Sequence, residues 1–267
     1  MLTFIRKTKN TLLMEGRIVK YMLYGAGEVL LVAIGILLAF SVDNWNENRK
    51  DRGQEIEYLL SMQEEFSYNL STLNAAISLN EMHEKESFSL IQSTGPDSEE
   101  LTEQEFLSIF VPVIMAEMKY RPRDGVISEI LNSGKLEIFD QKMRTKISSW
   151  KGELEKVQFQ EDVEHARYRE QLLDLYAEQG NLREFSNSLS SIDLQASKFT
   201  NVLGKDLLRS VEFENSLVGF YNTSVFMTSG YYSPLKDSIE ETLSLICLLY
   251  TSPSPRDATL SRMPSSA

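Results

Sequence analysis

The sequence predicts an all-α protein: one N-terminal transmembrane helix followed by an elongated antiparallel helical bundle. Three observations lead there. A long apolar run lies near the start, later apolar residues recur at helical rather than alternating spacing, and the breaks are short and carry Gly, Pro, Ser or Asp where helices begin and end. The expected organisation is a short basic cytoplasmic segment over residues 1–20, a transmembrane helix over 21–43, a helical extracytoplasmic domain over 44–246, and a foreign tail over 247–267.

The apolar run, Tyr21 to Val42, has Glu28 as its only charge. At ~1.5 Å per residue it spans roughly 33 Å, against a bilayer core of ~30 Å. Tyr21 and Tyr24 at one end and Trp45 at the other suit the two membrane interfaces. A cleaved signal peptide, with Ala39-Phe40-Ser41 as its cutting site, and a buried core helix remain alternatives. Arg6, Lys7, Lys9, Arg17 and Lys20 precede the run, and only Arg49, Lys50 and Arg52 follow closely. The positive-inside rule therefore places the N-terminus in the cytoplasm and the bulk of the chain outside the inner membrane, as a single-pass signal anchor. Glu28, Gly35 and Ala39 share one helical face, and Gly35-x-x-x-Ala39 permits close helix approach, so these three form the candidate membrane-helix contact. A proton or ion pathway and a tolerated interfacial glutamate are the other readings of Glu28.

After Lys50, the residues Ile56, Leu59, Phe66, Leu70, Leu73 and Ile77 step by threes and fours, with Gln63 as a polar slot. This is a heptad-like seam on a helix continuous with the span or closely following it. Gly95-Pro96-Asp97-Ser98 ends it, and Thr102-x-x-Glu105 is a capping box that starts a second helix containing Pro112. Arg121 to Gly125 reads as a loop, and Val126 to Asn132 as a short helix closed by Gly134. Asp140 caps a long helix expected to run to about Gln179, where Gly180 ends it. Ser186 to Ser191 reads as a polar linker. A last helix is expected from Phe199 or Leu203, kinked or broken at Gly230 and Pro234 before Leu235 to Ile246.

Composition narrows the function. The chain has 267 residues, 42% of them apolar, with 27 Lys plus Arg against 39 Asp plus Glu. Collagen-like, disulfide-rich and wholly disordered classes are excluded, and a net charge of −12 speaks against nucleic acid. Acidic clusters such as Glu99, Glu100, Glu103 and Glu105 read as a solvated face or, alternatively, as a site for a basic partner. No cysteine precedes Cys247, which removes thiol catalysis and thiolate metal sites. His83 and His165 are the only histidines. Asp162-x-x-His165 and Glu161-x-x-x-His165 echo a carboxylate-bridged bundle site, but His83 lacks a Glu three residues before it. There is no phosphate-binding Gly loop and no Gly-x-Ser-x-Gly elbow. No catalytic, cofactor or metal residue is expected.

Tyr21 to Lys50, YMLYGAGEVLLVAIGILLAFSVDNWNENRK, resembles the N-terminal signature of a domain-of-unknown-function family (DUF6090-like) of single-pass inner-membrane proteins of Bacteroidota. Ile127 to Trp150 resembles that family's Leu-x-x-Ser-Gly-x-Leu segment with its following helix, and Val211 to Asn215 its Glu-Phe-Glu-Asn element; Asp43 stands where Asn is commoner. The resemblance implies an inner-membrane protein and brings no activity. The tail, CLLYTSPSPRDATLSRMPSSA, resembles a translated sequencing adapter. Cys247 to Asp257 fit the transposase end, Ser261 to Ala267 the flow-cell end, and Ala258 to Leu260 the index between. The function expected is a non-enzymatic, membrane-anchored module that binds an unknown protein partner or itself on the extracytoplasmic side. The alternative is a sensory or signalling subunit that couples the envelope to a membrane partner.

Overall fold

The computed structural model describes residues 17–98, 101–189 and 192–251. Most of the basic segment, Glu99 and Glu100, the end of the expected polar linker and the tail from Ser252 lie outside the described residues. The fold is all-α, with no strand among the described residues. The chain divides into two compact units, Met1–Glu57 and Tyr58–Ala267, and helix α1, Arg17–Gln92, contributes to both.

In the first unit, α1 is apolar and unpacked over residues 21–42. Leu31, Leu37 and Phe40 are 73%, 64% and 63% exposed, and Glu28, Gly35 and Ala39 are exposed as well. The most apolar window has a mean hydropathy of 2.2 with none of its residues buried, so this helix is long and apolar enough to cross a membrane. The aliphatic side chains meet no protein on any side, the reverse of a soluble core helix.

In the second unit, α1 buries one stripe. Leu59, Met62, Phe66, Asn69, Leu73, Ala76, Asn80, His83, Ser87 and Leu90 alternate steps of three and four without a slip, and all but the half-buried Ala76 are buried. The heptad spacing of the sequence is present, but its occupants differ from the expected set. Met62 takes the slot given to Gln63, which is exposed, and Asn69, Asn80, His83 and Ser87 hold core positions that a count of apolar residues passes over.

The other elements follow their end signals. Thr102 and Glu105 close the capping box on α2, Glu103–Met115, which tolerates Pro112 within it. Helix α3, Gly125–Ser133, ends at Gly134, whose φ of 71° is the left-handed geometry that favours glycine. A 3₁₀ turn, Lys135–Ile138, leads to Asp140, whose carboxylate accepts the Met143 N–H at 2.8 Å to start α4, Gln141–Phe159. The expected single long helix is interrupted by a π segment, Gln160–His165, before α5, Ala166–Gln179. The expected Ser186–Ser191 linker is also corrected: Asn181 caps a further helix, α6, Leu182–Ser188. A 3₁₀ turn, Gly204–Arg209, then replaces the expected helix start at Phe199 or Leu203. Ser210 caps α7, Val211–Met227, and a second π segment, Thr228–Tyr232, containing Gly230, leads into α8, Ser233–Thr251. Glu103 and Glu105 are not merely solvated. Glu103 accepts the Gly204 and Lys205 N–H groups, both at 2.9 Å, and Glu105 accepts the Thr102 N–H at 2.8 Å.

Two apolar clusters result. One gathers Leu59, Phe66 and Leu73 of α1 with Tyr120, Trp150, Val157, Met227, Tyr232 and Ile246. The other gathers Leu90 with Phe106, Phe110, Leu172, Tyr176, Phe213 and Phe220. In the second cluster, Tyr176 stacks on Phe110 with centroids 5.3 Å apart, and its ring fills the space beside Gly180 and Gly204. A Cβ on Gly204 would lie 2.4 Å from that fully buried ring, which has nowhere to move. Gly204→Ala is therefore expected to cost about 1–3 kcal/mol through overpacking. Chemical denaturation checks this, and an unchanged midpoint would refute the packing account.

Candidate functional site

Between the two clusters lies a layer of buried polar side chains. Following α1, the first cluster ends near Leu79, Asn80 and His83 come next, and Leu90 opens the second. Along α4 and α5, the order is Val157, then Glu161 and His165, then Leu172; along α7 it is Phe220, then Ser224, then Met227. Each π segment falls at this level. An inserted residue in a helix widens the turn and re-aims side chains, and such segments recur at functional sites.

One half of the layer is built on Glu161, whose side chain is fully buried. Its carboxylate accepts the Tyr120 N–H on both oxygens, at 2.9 and 3.0 Å, the Tyr232 hydroxyl on Oε1, and Arg121 Nη1 on Oε2 at 2.9 Å. Arg121 also donates to Asp162 at 2.7 Å. Burial pushes the Glu161 carboxyl above its usual range, opposed by the Tyr232, Tyr120 and Arg121 donors. Burial, with the Glu161 charge beside them, likewise raises the Tyr232 and Tyr120 hydroxyls. The cluster anchors the segment joining α2 and α3, and Asn69 clamps the same segment from α1. The Asn69 amide donates to the Arg123 carbonyl at 2.7 Å, and its Oδ1 accepts the Arg123 N–H at 2.8 Å.

The other half is a pair of imidazoles. His83 and His165 stack with centroids 5.3 Å apart and ring planes 16° from parallel, and the Phe220 ring packs against both. His165 Nε2 lies 3.3 Å from Ser224 Oγ, while neither ring nitrogen of His83 makes a well-formed hydrogen bond, the Ala116 backbone offering it a weak one. Burial lowers the His83 pKa from 6.5 to about 4, opposed by the Ala116 backbone and reinforced by Arg169. Burial lowers that of His165 to about 3, helped by His83 and Arg169. Alongside, the Asn80 amide donates to the Ser224 carbonyl at 2.7 Å, to Thr228 Oγ1 at 2.6 Å and to Glu84 at 3.1 Å, and Thr228 donates to Glu84 at 2.7 Å. Asn80 Oδ1 has no partner.

The sequence reading placed Glu161 and Asp162 beside His165 as an incomplete metal motif. The structure turns both carboxylates onto Arg121 and gives His165 to His83, a partner 82 positions away that no local spacing reveals. Among the described residues no cluster of His, Cys, Asp and Glu is arranged to hold a metal ion. Glu28, Gly35 and Ala39 lie exposed on the α1 stretch of the first unit, with nothing within 4 Å of a Cβ placed on Gly35. A family model described as a family of unknown function (DUF6090) matches residues 28–217. No curated protein and no solved structure matches the chain.

Two outcomes follow from the layer. Tyr232→Phe removes a hydrogen bond to a buried carboxylate and is expected to lower the unfolding free energy by about 1.5–3 kcal/mol, read by urea titration. Both histidines have folded pKa values below their unfolded 6.5, so the unfolded chain binds more protons as pH falls. Their contribution is complete above pH 6.5 and is lost as pH drops toward 4 and 3. Between pH 7.5 and 5.5 each is expected to remove about 1.4 kcal/mol. The raised Glu161 acts in the opposite sense, losing stability as pH rises above 4.5, so the comparison is His83→Phe, which keeps Glu161. An equal pH dependence in that variant would refute the assignment.

Proposed function

Because the chain belongs to the DUF6090 family of unknown function, whose description assigns no chemistry, we propose its role from the two units themselves. The protein is a membrane-anchored helical module that acts without catalysis, binding a protein partner or a second copy of itself on the extracytoplasmic side of the inner membrane. The observation that carries this reading is the exposed apolar stretch of α1, an aliphatic surface that no protein covers and that lipid would. The N-terminus lies in the cytoplasm, on the side richer in Arg and Lys, and the chain crosses once, as the resemblance to single-pass proteins of Bacteroidota implies. The non-catalytic reading is supported by the polar layer, whose buried carboxylate is taken up by Tyr120, Arg121 and Tyr232 and whose imidazoles are stacked on each other.

Within the bilayer the contact face is Glu28, Gly35 and Ala39, which fall within about 40° of one another around the helix. A carboxylate there faces a partner more favourably than it faces lipid, and the two small residues let a second helix approach closely. A second reading, a sensory subunit working through a membrane partner, is favoured by α1 carrying both this face and the layer residues Asn80 and His83. We also read residues 247–267 as adapter-derived. Helix α8 runs on to Thr251 with Leu249 against the first cluster, which its apolar Leu248-Leu249-Tyr250 run would do whatever its origin.

The chain is expected to stay with membranes in alkaline carbonate, and a reporter fused after Ile246 is expected to work only outside the cytoplasm. Release by carbonate, or a reporter active only inside, would refute the anchor or its orientation. Glu28→Leu and Gly35→Leu are each expected to lower the yield of crosslinked dimer or partner adduct, and no change in either removes the contact face. Resequencing the locus without adapters decides the tail: genomic codons for residues 247–267 would make it native.

A further inference from the structure

The polar layer is unevenly satisfied, and the unevenness has a pattern. The Glu161 half is saturated with donors. The histidine half leaves three buried polar atoms without a well-formed hydrogen bond: Asn80 Oδ1, His83 Nδ1 and His83 Nε2. A neutral imidazole tolerates such a place because its ring packs on His165 and Phe220; an imidazolium does not, since it adds a second N–H and a charge. Among the groups facing the pair, the Ala116 backbone after α2 favours a charge on His83, and the others supply little for it. Arg169 on α5 is itself cationic and donates to the Ile114 carbonyl and to Glu117 at the end of α2. On the π segment Glu161 and Asp162 are held by Arg121, and α7 presents the uncharged Phe220 and Ser224. On α1, Asn80, Glu81, Glu84, Glu86 and Ser87 lie within one turn of His83, and of these Asn80 and Glu84 tie α1 to Ser224 and Thr228. A charge on His83 thus falls at the height where these bonds fasten the two helices together.

We propose that this layer is an acid-operated release: uptake of one proton from solvent by the stacked His83–His165 pair frees α7 from α1 at the level of Ser224 and Thr228, while the apolar clusters on either side stay packed. The step forms one N–H bond on an imidazole and breaks the Asn80 and Glu84 hydrogen bonds to Ser224 and Thr228. It requires no other reactant. The two rings are too close to accept a charge each, so one proton suffices. The opening is confined because the two clusters on either side are built from apolar side chains that a proton does not reach.

Hydrogen–deuterium exchange of the full chain in detergent micelles, corrected for intrinsic rates, reads this directly. From pH 7 to pH 5, protection over residues 76–90 and 217–230 is expected to fall about 10-fold or more, with less than about 2-fold change over 103–115 and 141–157. A uniform loss, or none, would overturn the proposal. In His83→Phe the local response is expected to shrink to the part that His165 alone supplies, and a response as large as in the unmodified chain would also overturn it. Should that variant fail to fold, the ring protons of the unmodified protein decide. A titration of both histidines below about pH 5 supports the release, and one near 6.5 overturns it.

Discussion

Everything in the second unit depends on where α1 places polar side chains within an otherwise apolar seam. A helix that buries Asn69, Asn80, His83 and Ser87 along with Leu59, Met62, Phe66, Leu73 and Leu90 obliges its neighbours to bring partners to fixed heights. Asn69 takes both backbone groups of Arg123, and Asn80 takes the Ser224 carbonyl and Thr228, while the Ser87 hydroxyl turns back to its own helix at the His83 carbonyl. The two π segments are the geometric response. Each lets a regular helix present an extra side chain at the layer, Glu161 and His165 from one and Thr228 and Tyr232 from the other, without disturbing the apolar turns before and after.

The acidity of the chain has a structural use alongside its effect on solubility. Several carboxylates accept backbone N–H groups across element boundaries: Glu65 takes the Val126 N–H at 3.0 Å, Glu103 those of Gly204 and Lys205, Glu161 that of Tyr120, and Glu184 that of Ser197 at 2.8 Å. Helix α3 shows why this matters. Its own N-cap residue, Asp124, makes no side-chain cap bond, and the donor at Val126 is satisfied from α1 instead. Exposed N-terminal amides of helices and turns carry partial positive charge, so anionic side chains settle there in place of a cation.

Much of this architecture was legible in the sequence because it is encoded locally. The apolar span, the Thr102–Glu105 box, the Asp140 cap, Gly134 and Gly180 are signals within a few residues of the element they set. What was not legible depends on distant partners. Nothing around His83 announces His165, and nothing in Gln160–His165 or Thr228–Tyr232 departs from helical composition enough to mark a widened turn. The core histidine, asparagines and serine were missed for a related reason: a seam traced only through aliphatic and aromatic residues skips polar positions that fit the same three-and-four rhythm. A second pass that fills those gaps with Asn, His and Ser recovers all four. Helix α6 was obscured by its serines, although Asn181 accepting the Arg183 and Glu184 N–H groups begins it as any cap residue would.

The rhythm of α1 has one consequence for how this helix can move. An unbroken heptad of aliphatic residues could slip by seven positions and find an equivalent fit. Here such a slip would carry Asn80 to the level of Leu73 and His83 to that of Ala76, leaving their polar atoms against the first apolar cluster and Ser224 and Thr228 without Asn80. A buried polar residue fixes register in this way because the displaced arrangement cannot hydrogen-bond it. Sliding along its own axis is therefore closed to α1 within the second unit, and the motions left to it are those that preserve height: small rotations, and parting from a neighbour at a single level.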